Sequence, residues 1–81
     1  MMHIKELLDK IKWDDREKPE EYSLLYLDFG NLKEIKYTEI KKIEEGFMTV
    51  KVGDIDTQIP LHRIKVVMKK GKIIWQRPMK D

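Results

Sequence analysis

The sequence predicts an α+β domain in which one N-terminal helix packs on an antiparallel sheet of five or six strands. The sheet is built of successive hairpins and is either open or curled into a barrel-like form. The chain has 81 residues, which is enough for one small core, so we expect a single domain spanning residues 1–81. Helical spacing of apolar residues occurs near the N-terminus, and Gly-containing turns divide the rest into short β-type runs.

Four apolar residues recur at intervals of three and four and predict a helix over residues 3–12; they are Ile4, Leu7, Leu8 and Ile11. Residues 14–21 are polar and contain Pro19. Because proline disfavours helix in the residue before it, this segment is predicted to be a surface loop.

Two hairpins are predicted next, the first joining residues 22–29 to 32–37 across Gly30-Asn31. The second joins residues 47–52 to 55–59 across Gly53-Asp54. Between the hairpins, Thr38 is predicted to cap a short helix that ends at Gly46.

A third hairpin is predicted to join residues 63–69 to 72–77 across Lys70-Gly71. Pairing across that turn sets Met68 opposite Ile73 and Val66 opposite Trp75, on the face expected to be core. The other face then carries two apolar residues, Val67 and Ile74, surrounded by basic side chains. The basic residues are Arg63, Lys65, Lys69 and Lys72. The third hairpin is therefore predicted to have one core face and one basic face.

The composition excludes several classes of function. The chain has no cysteine and only two histidines, His3 and His62, which argues against a disulfide scaffold, a Cys-ligated zinc site and thiol catalysis. We therefore expect no cofactor and no metal site. No apolar run is long enough to cross a membrane, and residues 1–13 carry charges where a signal peptide has an apolar core. These features favour a soluble, cytoplasmic protein.

Charge is distributed unevenly along the chain. Residues 1–40 contain 7 Lys and Arg against 10 Asp and Glu, a balance of −3, whereas residues 41–81 contain 10 against 5, a balance of +5. No acidic residue lies between Thr57 and Lys80. A one-sided basic strip of this kind is typical of a surface that binds phosphate.

Within this strip, His62 and Arg63 stand next to each other between apolar residues. Arg suits bidentate contact with phosphate, and His adds a second donor. The alternative is that His62 satisfies a backbone carbonyl and Arg63 forms a surface ion pair. Trp13 also has two interpretations, as a clamp that holds the helix on the sheet or as a stacking platform. Trp75 is predicted to lie in the core.

Four segments taken together resemble a known family. They are Ile11-Lys12-Trp13-Asp14, Tyr26-Leu27-Asp28 followed by Gly30, Ile59-Pro60-Leu61-His62-Arg63-Ile64, and Gly71 with Ile74-Trp75-Gln76-Arg77. Their order and spacing are similar to those of small archaeal proteins of unknown function, described as a predicted RNA cyclic-group end recognition domain. That family typically has Arg after the Asp of the second segment, where this chain has Phe29. The resemblance implies binding to RNA termini that carry a cyclic phosphate.

We therefore expect a non-catalytic RNA-binding module for phosphate-bearing or cyclic-phosphate 3′ ends, with an RNA-processing protein as a further partner. Six basic side chains are predicted to contact the RNA; they are His62, Arg63, Lys65, Lys69, Lys72 and Arg77. Asp14 and Asp28 are predicted to orient these cations or to contact a ribose hydroxyl, and Trp13 is the candidate for stacking. Two alternatives stay open, namely a phosphoesterase using His62 as its acid/base and an adaptor that pairs with a protein through a sheet edge.

Overall fold

A computed structural model describes residues 3–77, over which the chain forms one α-helix and seven strands. In chain order these are α1 (Ile4–Trp13), β1 (Tyr22–Asp28), β2 (Asn31–Lys36), β3 (Ile40–Ile43), β4 (Phe47–Val52), β5 (Ile55–Pro60), β6 (Ile64–Lys69) and β7 (Lys72–Gln76). One antiparallel sheet has the order β2-β1-β6-β7 and the other has the order β3-β4-β5. The α+β class is confirmed, but there are two sheets rather than one, and they form no closed barrel within these residues.

The helix buries the apolar stripe that its sequence predicts. All four stripe residues are buried in a core that they share with the inner faces of both sheets. The helix is also attached by a hydrogen bond, since the Tyr37 hydroxyl donates to the carbonyl oxygen of Leu8 at 2.7 Å. No helix within residues 3–77 has the length and the apolar character needed to cross a membrane.

The first hairpin turns one residue earlier than predicted. Asp28 pairs with Asn31, so the turn residues are Phe29 and Gly30 rather than Gly30 and Asn31. Both take positive φ, 50° and 81°, as the two central residues of a type I′ turn require. This register sets Leu24 opposite Ile35, with both side chains buried.

The short helix predicted between the first two hairpins is wrong. Tyr37–Glu39 is a 3-10 turn, and the residues after it form β3, in which Ile40 pairs with Val50 and Ile43 with Met48. The edge of β4 supplies hydrogen-bond partners that favour an extended conformation for these β-branched residues. The second hairpin is confirmed, with its turn at Gly53-Asp54.

The third hairpin has the predicted turn but a different register beyond it. Lys69 pairs with Lys72 across Lys70-Gly71, and Met68 pairs with Ile73. A β-bulge then skips Ile74, so that Val67, rather than Val66, lies opposite Trp75. Because one extra residue in a strand exchanges the faces of all residues after it, Val66 and Met68 do not share a face with Trp75 as predicted, although Val66 is still buried, at 6% exposure. Trp75 is 8% exposed, which confirms that it lies in the core.

Candidate nucleic-acid interface

The basic residues of the third hairpin do not share one exposed face as predicted; they lie at its two ends. Lys69 and Lys72 stand opposite each other at the turn, next to Lys70. Lys69 also pairs with Tyr22 in β1, a residue of the core, and its Nζ lies 5.6 Å from the centre of the Tyr22 ring. The bulge separates this end of the hairpin from Arg63, Lys65 and Arg77. Along β6, Lys65 and Lys69 are about 13 Å apart at the rise of an extended strand.

Two of the lysines at the turn are neutralised by acids from the segment before β1. The Nζ of Lys69 lies 3.3 Å from Glu17 Oε1, and the Nζ of Lys70 lies 3.4 Å from Glu21 Oε2. A hydrogen bond from the Tyr22 hydroxyl, followed by the contact with Lys69, holds the pKa of Glu17 below its ordinary value. The excess positive charge at this end of the hairpin is therefore small.

The other end of the hairpin begins with the 3-10 turn Leu61–Arg63, which links β5 of one sheet to β6 of the other. Leu61 is only 5% exposed, and its backbone N–H donates to the Gly46 carbonyl oxygen at 3.0 Å. With Leu61 held in the core, the next two side chains, His62 and Arg63, are exposed to solvent. The sequence pattern of an apolar residue followed by two polar ones thus places both candidate ligands on the surface.

Arg77, the residue directly after β7, supports this turn. Its Nε donates to the carbonyl oxygen of Ile64 at 3.1 Å, and its Nη2 donates to that of Leu61 at 3.4 Å. The guanidinium carbon also lies 5.3 Å from the centre of the Trp75 ring. Arg77 therefore contacts both ends of the segment that carries His62 and Arg63. Its predicted contact with RNA stays a prediction, but its position within the fold is that of a support.

A surface cleft of about 330 Å³, here called the basic cleft, lies between the first hairpin turn and the 3-10 turn. Its lining residues are Leu27, Phe29, Gly30, His62, Arg63 and Lys65. None of them is acidic. The Nζ of Lys65 donates to the His62 carbonyl oxygen at 3.3 Å, which holds the ammonium group near the 3-10 turn. Asp28, adjacent in sequence to two lining residues, is paired with Lys33 at 2.7 Å.

Two of the cleft's polar side chains have no partner among the residues that the structure describes. Within residues 3–77, neither the His62 ring nor the Arg63 guanidinium makes a hydrogen bond or an ion pair. The alternative roles considered for them, a bond to a backbone carbonyl and a surface ion pair, are therefore not observed. In contrast to Lys69 and Lys70, both groups are available to a ligand.

The remaining candidates lie outside the basic cleft. Asp14 binds Arg16, accepting hydrogen bonds from its Nε at 3.1 Å and from its backbone N–H at 3.0 Å, and these contacts lower the pKa of Asp14. Asp14 and Asp28 are thus paired with cations other than the predicted six, and a ribose contact by either stays a prediction. Trp13 is 74% exposed, so it does not clamp the helix. Its stacking role also stays a prediction.

A second depression, of about 420 Å³, fits a phosphate less well. It is lined by Thr38, Glu39, Lys41, Lys51 and Gly53. One of its lysines, Lys41, is paired with Asp56 at 3.0 Å, and an acidic side chain lies in its wall. No group of three or more His, Cys, Asp or Glu residues that could hold a metal ion occurs in the part of the chain that the structure describes.

The model of one protein family matches residues 1–77, and its description is the MJ1316 RNA cyclic group end recognition domain. The chain belongs to this family. It is 43% identical over 74 residues to a UPF0248 protein from Pyrococcus horikoshii, covering 90% of this chain and 87% of the relative. It is 38% identical over 77 residues to a UPF0248 protein from Metallosphaera sedula, covering 94% of each chain. No solved structure matches. The resemblance carried by the four sequence segments is thereby confirmed.

Proposed function

We propose that this protein binds RNA 3′ ends that carry a phosphate, cyclic or linear, in the basic cleft. The observation that carries the proposal is the contrast between the two ends of the third hairpin. Lys69 and Lys70 are neutralised by acids, whereas His62 and Arg63 line a concave site with Lys65 and have no acidic partner within residues 3–77. The family description, which names RNA cyclic-group ends, supports RNA as the ligand class.

The chemistry of a terminal phosphate suits these groups. A 2′,3′-cyclic phosphate presents two non-bridging oxygens, and the planar fork of Arg63 can donate to both at once. The Lys65 ammonium adds charge, and the His62 ring adds a donor. A terminus with free hydroxyls offers neither the charge nor the paired acceptors, so the cleft should discriminate against it.

The size of the cleft favours a single terminal nucleotide. Its volume of about 330 Å³ is at the lower end of the range of about 300–1,000 Å³ that is usual for ligand pockets. The predicted contact by Lys72 would then be made to a nucleotide further from the end, about 13 Å along the strand, whereas Lys69, whose charge is balanced by Glu17, is assigned no phosphate contact. Recognition of the terminus is thus assigned to the cleft, and contact with the adjoining RNA backbone is assigned to Lys72.

A titration of one short RNA with different ends tests the proposal. The RNA is prepared with a cyclic phosphate, a linear 3′-phosphate, a 5′-phosphate only, and hydroxyl ends, and its Kd is measured by fluorescence anisotropy. Charge-assisted hydrogen bonds contribute about 1.5–3 kcal/mol, so we expect 3′-phosphate ends to bind about 10- to 150-fold more tightly than hydroxyl ends. Equal affinity for all four RNAs would overturn the proposal.

Two variants relate this preference to the cleft. Arg63→Gln should remove most of the difference between phosphate and hydroxyl ends. Lys70→Gln is the matched control, because its charge is already balanced by Glu21, and it should keep the wild-type preference. The RNA recovered after incubation shows whether the cyclic phosphate has been opened; turnover that is lost in His62→Ala would identify the protein as a phosphoesterase instead.

A further inference from the structure

Phe29 occupies a position that the fold does not explain. Its side chain is 93% exposed, although aromatic residues usually bury most of their surface. Its backbone has a φ of 50°, in the left-handed region where Asn, Asp and Gly are preferred. Neither packing nor turn geometry therefore favours Phe at this point in the chain.

The turn holds this side chain in a defined place. Asp28 pairs with Asn31 directly behind Phe29, and an ion pair of 2.7 Å between Asp28 and Lys33 links the two strands. A two-residue turn of this type has little conformational freedom. The Phe29 ring consequently lies at the rim of the basic cleft rather than on a long loop.

The Phe29 ring and three basic side chains line the same cleft. Phe29 comes from the first hairpin turn, whereas His62, Arg63 and Lys65 come from the 3-10 turn and β6. An exposed aromatic ring next to unpaired cations is the combination with which proteins bind single-stranded nucleic acids, because bases stack on the ring while cations hold the phosphates. A protein-docking residue would not need the cations, and a simple phosphate site would not need the ring.

We infer that Phe29 stacks on the terminal base of the bound RNA, so that this protein reads the last base as well as the terminal phosphate. The inference rests on the proposed function and specifies its ligand as a terminal nucleotide. One ring can accept one base, and purines offer the larger stacking surface. RNA ending in a purine should therefore bind more tightly than RNA ending in a pyrimidine.

The test compares the affinities of Phe29→Asn and Phe29→Tyr for RNAs that all end in a 2′,3′-cyclic phosphate. Asn suits the left-handed turn but lacks the ring, so this variant should fold at least as well as the wild type. It should bind RNA ending in adenosine about 5- to 150-fold more weakly. Phe29→Tyr retains the ring and should bind as the wild type does. Melting temperatures of all three proteins verify that they are folded.

A terminal abasic site separates loss of stacking from other effects. The wild type should lose affinity when the terminal base is removed, whereas Phe29→Asn should lose almost nothing, because the two changes remove the same contact. A 2-aminopurine at the 3′ end should be quenched on binding to the wild type and not on binding to the variant. Equal affinity of the two proteins for the adenosine RNA, or equal losses on base removal, would overturn the inference.

The failure of the proposed function gives a different pattern. If the wild type distinguishes adenosine from an abasic end but not a phosphate from a hydroxyl end, base stacking is supported and phosphate recognition is wrong. If it distinguishes phosphate from hydroxyl ends but Phe29→Asn binds like the wild type, phosphate recognition is supported and the role of Phe29 is wrong. The two readouts are therefore independent.

Discussion

Replacing Tyr37 by Phe tests how α1 is attached to the rest of the fold. The Tyr37 side chain is 7% exposed, and its hydroxyl donates to the Leu8 carbonyl oxygen at 2.7 Å. Burial, with a smaller contribution from the charge of Asp9, raises the pKa of Tyr37 to about 12. Since the ordinary value is 10.0, the unfolded chain ionises first, and folding stabilises the neutral phenol. This contribution is complete below pH 10 and is lost as the pH rises from 10 towards 12.

The expected magnitude follows from the two pKa values. By pH 11 the free energy of unfolding should have fallen by about 1.4 kcal/mol through Tyr37 alone, and above pH 12 by at most about 2.7 kcal/mol. Tyr37→Phe keeps the ring, whose centre lies 6.4 Å from that of Tyr22, but removes the titrating group and the hydrogen bond. At pH 8 the variant should therefore be less stable than the wild type by about 0.5–1.5 kcal/mol.

Urea denaturation at pH 8, 10 and 11, followed by circular dichroism, measures both effects. Lysines also titrate in this range, but they do so in both proteins and cancel in the difference. The wild type should be the more stable protein at pH 8, and its advantage should disappear or reverse by pH 11. A difference that stays constant across this range would refute the assignment of a buried, neutral phenol to Tyr37.

Two further predictions concern the third hairpin and the helix end. Trp75→Ala should lower the free energy of unfolding by about 3–5 kcal/mol because it removes a core side chain. Trp13→Ala, at an exposed position, should change the free energy of unfolding by less than about 0.5 kcal/mol. Urea denaturation measures both effects. Lys65→Ala should reduce the slope of log affinity against log salt for single-stranded RNA by about 0.7. Lys69→Ala should leave that slope unchanged, since an acidic partner already balances its charge. Equal slopes in the two variants would contradict the conclusion that Lys65, in the basic cleft, is available to RNA whereas Lys69 is not.

Local patterns in the sequence are sufficient for the helix and for two of the three hairpin turns. The stripe from Ile4 to Ile11 repeats with the period of an α-helix and is buried as that period predicts. Gly53 and Gly71 take positive φ at the predicted turns, a conformation that glycine adopts without steric cost. In each case the deciding interactions join residues that are near neighbours in the chain.

The strand β3 and the register of β7 depend instead on tertiary contacts. Ile40 and Ile43 are three residues apart, which fits one face of a helix, and the edge of β4 makes them a strand. Val66 and Val67 are the same residue type, so the apolar pattern cannot tell which of them lies opposite Trp75. The bulge at Ile74 decides this, because it allows Val67 and Trp75 to be buried together.

Some features of the candidate site likewise follow from the sequence, and others only from the tertiary structure. Sequence alone determined that His62 and Arg63 follow the apolar residue Leu61 within a strip free of acids, and the family resemblance pointed to the same residues. Only the tertiary structure decided that Lys69 is neutralised by Glu17, 52 residues away, and that Phe29 lines the cleft that holds Arg63. Charge balance and cleft shape depend on which distant segments the two sheets bring together, and the composition of a segment carries no information about its partners in space.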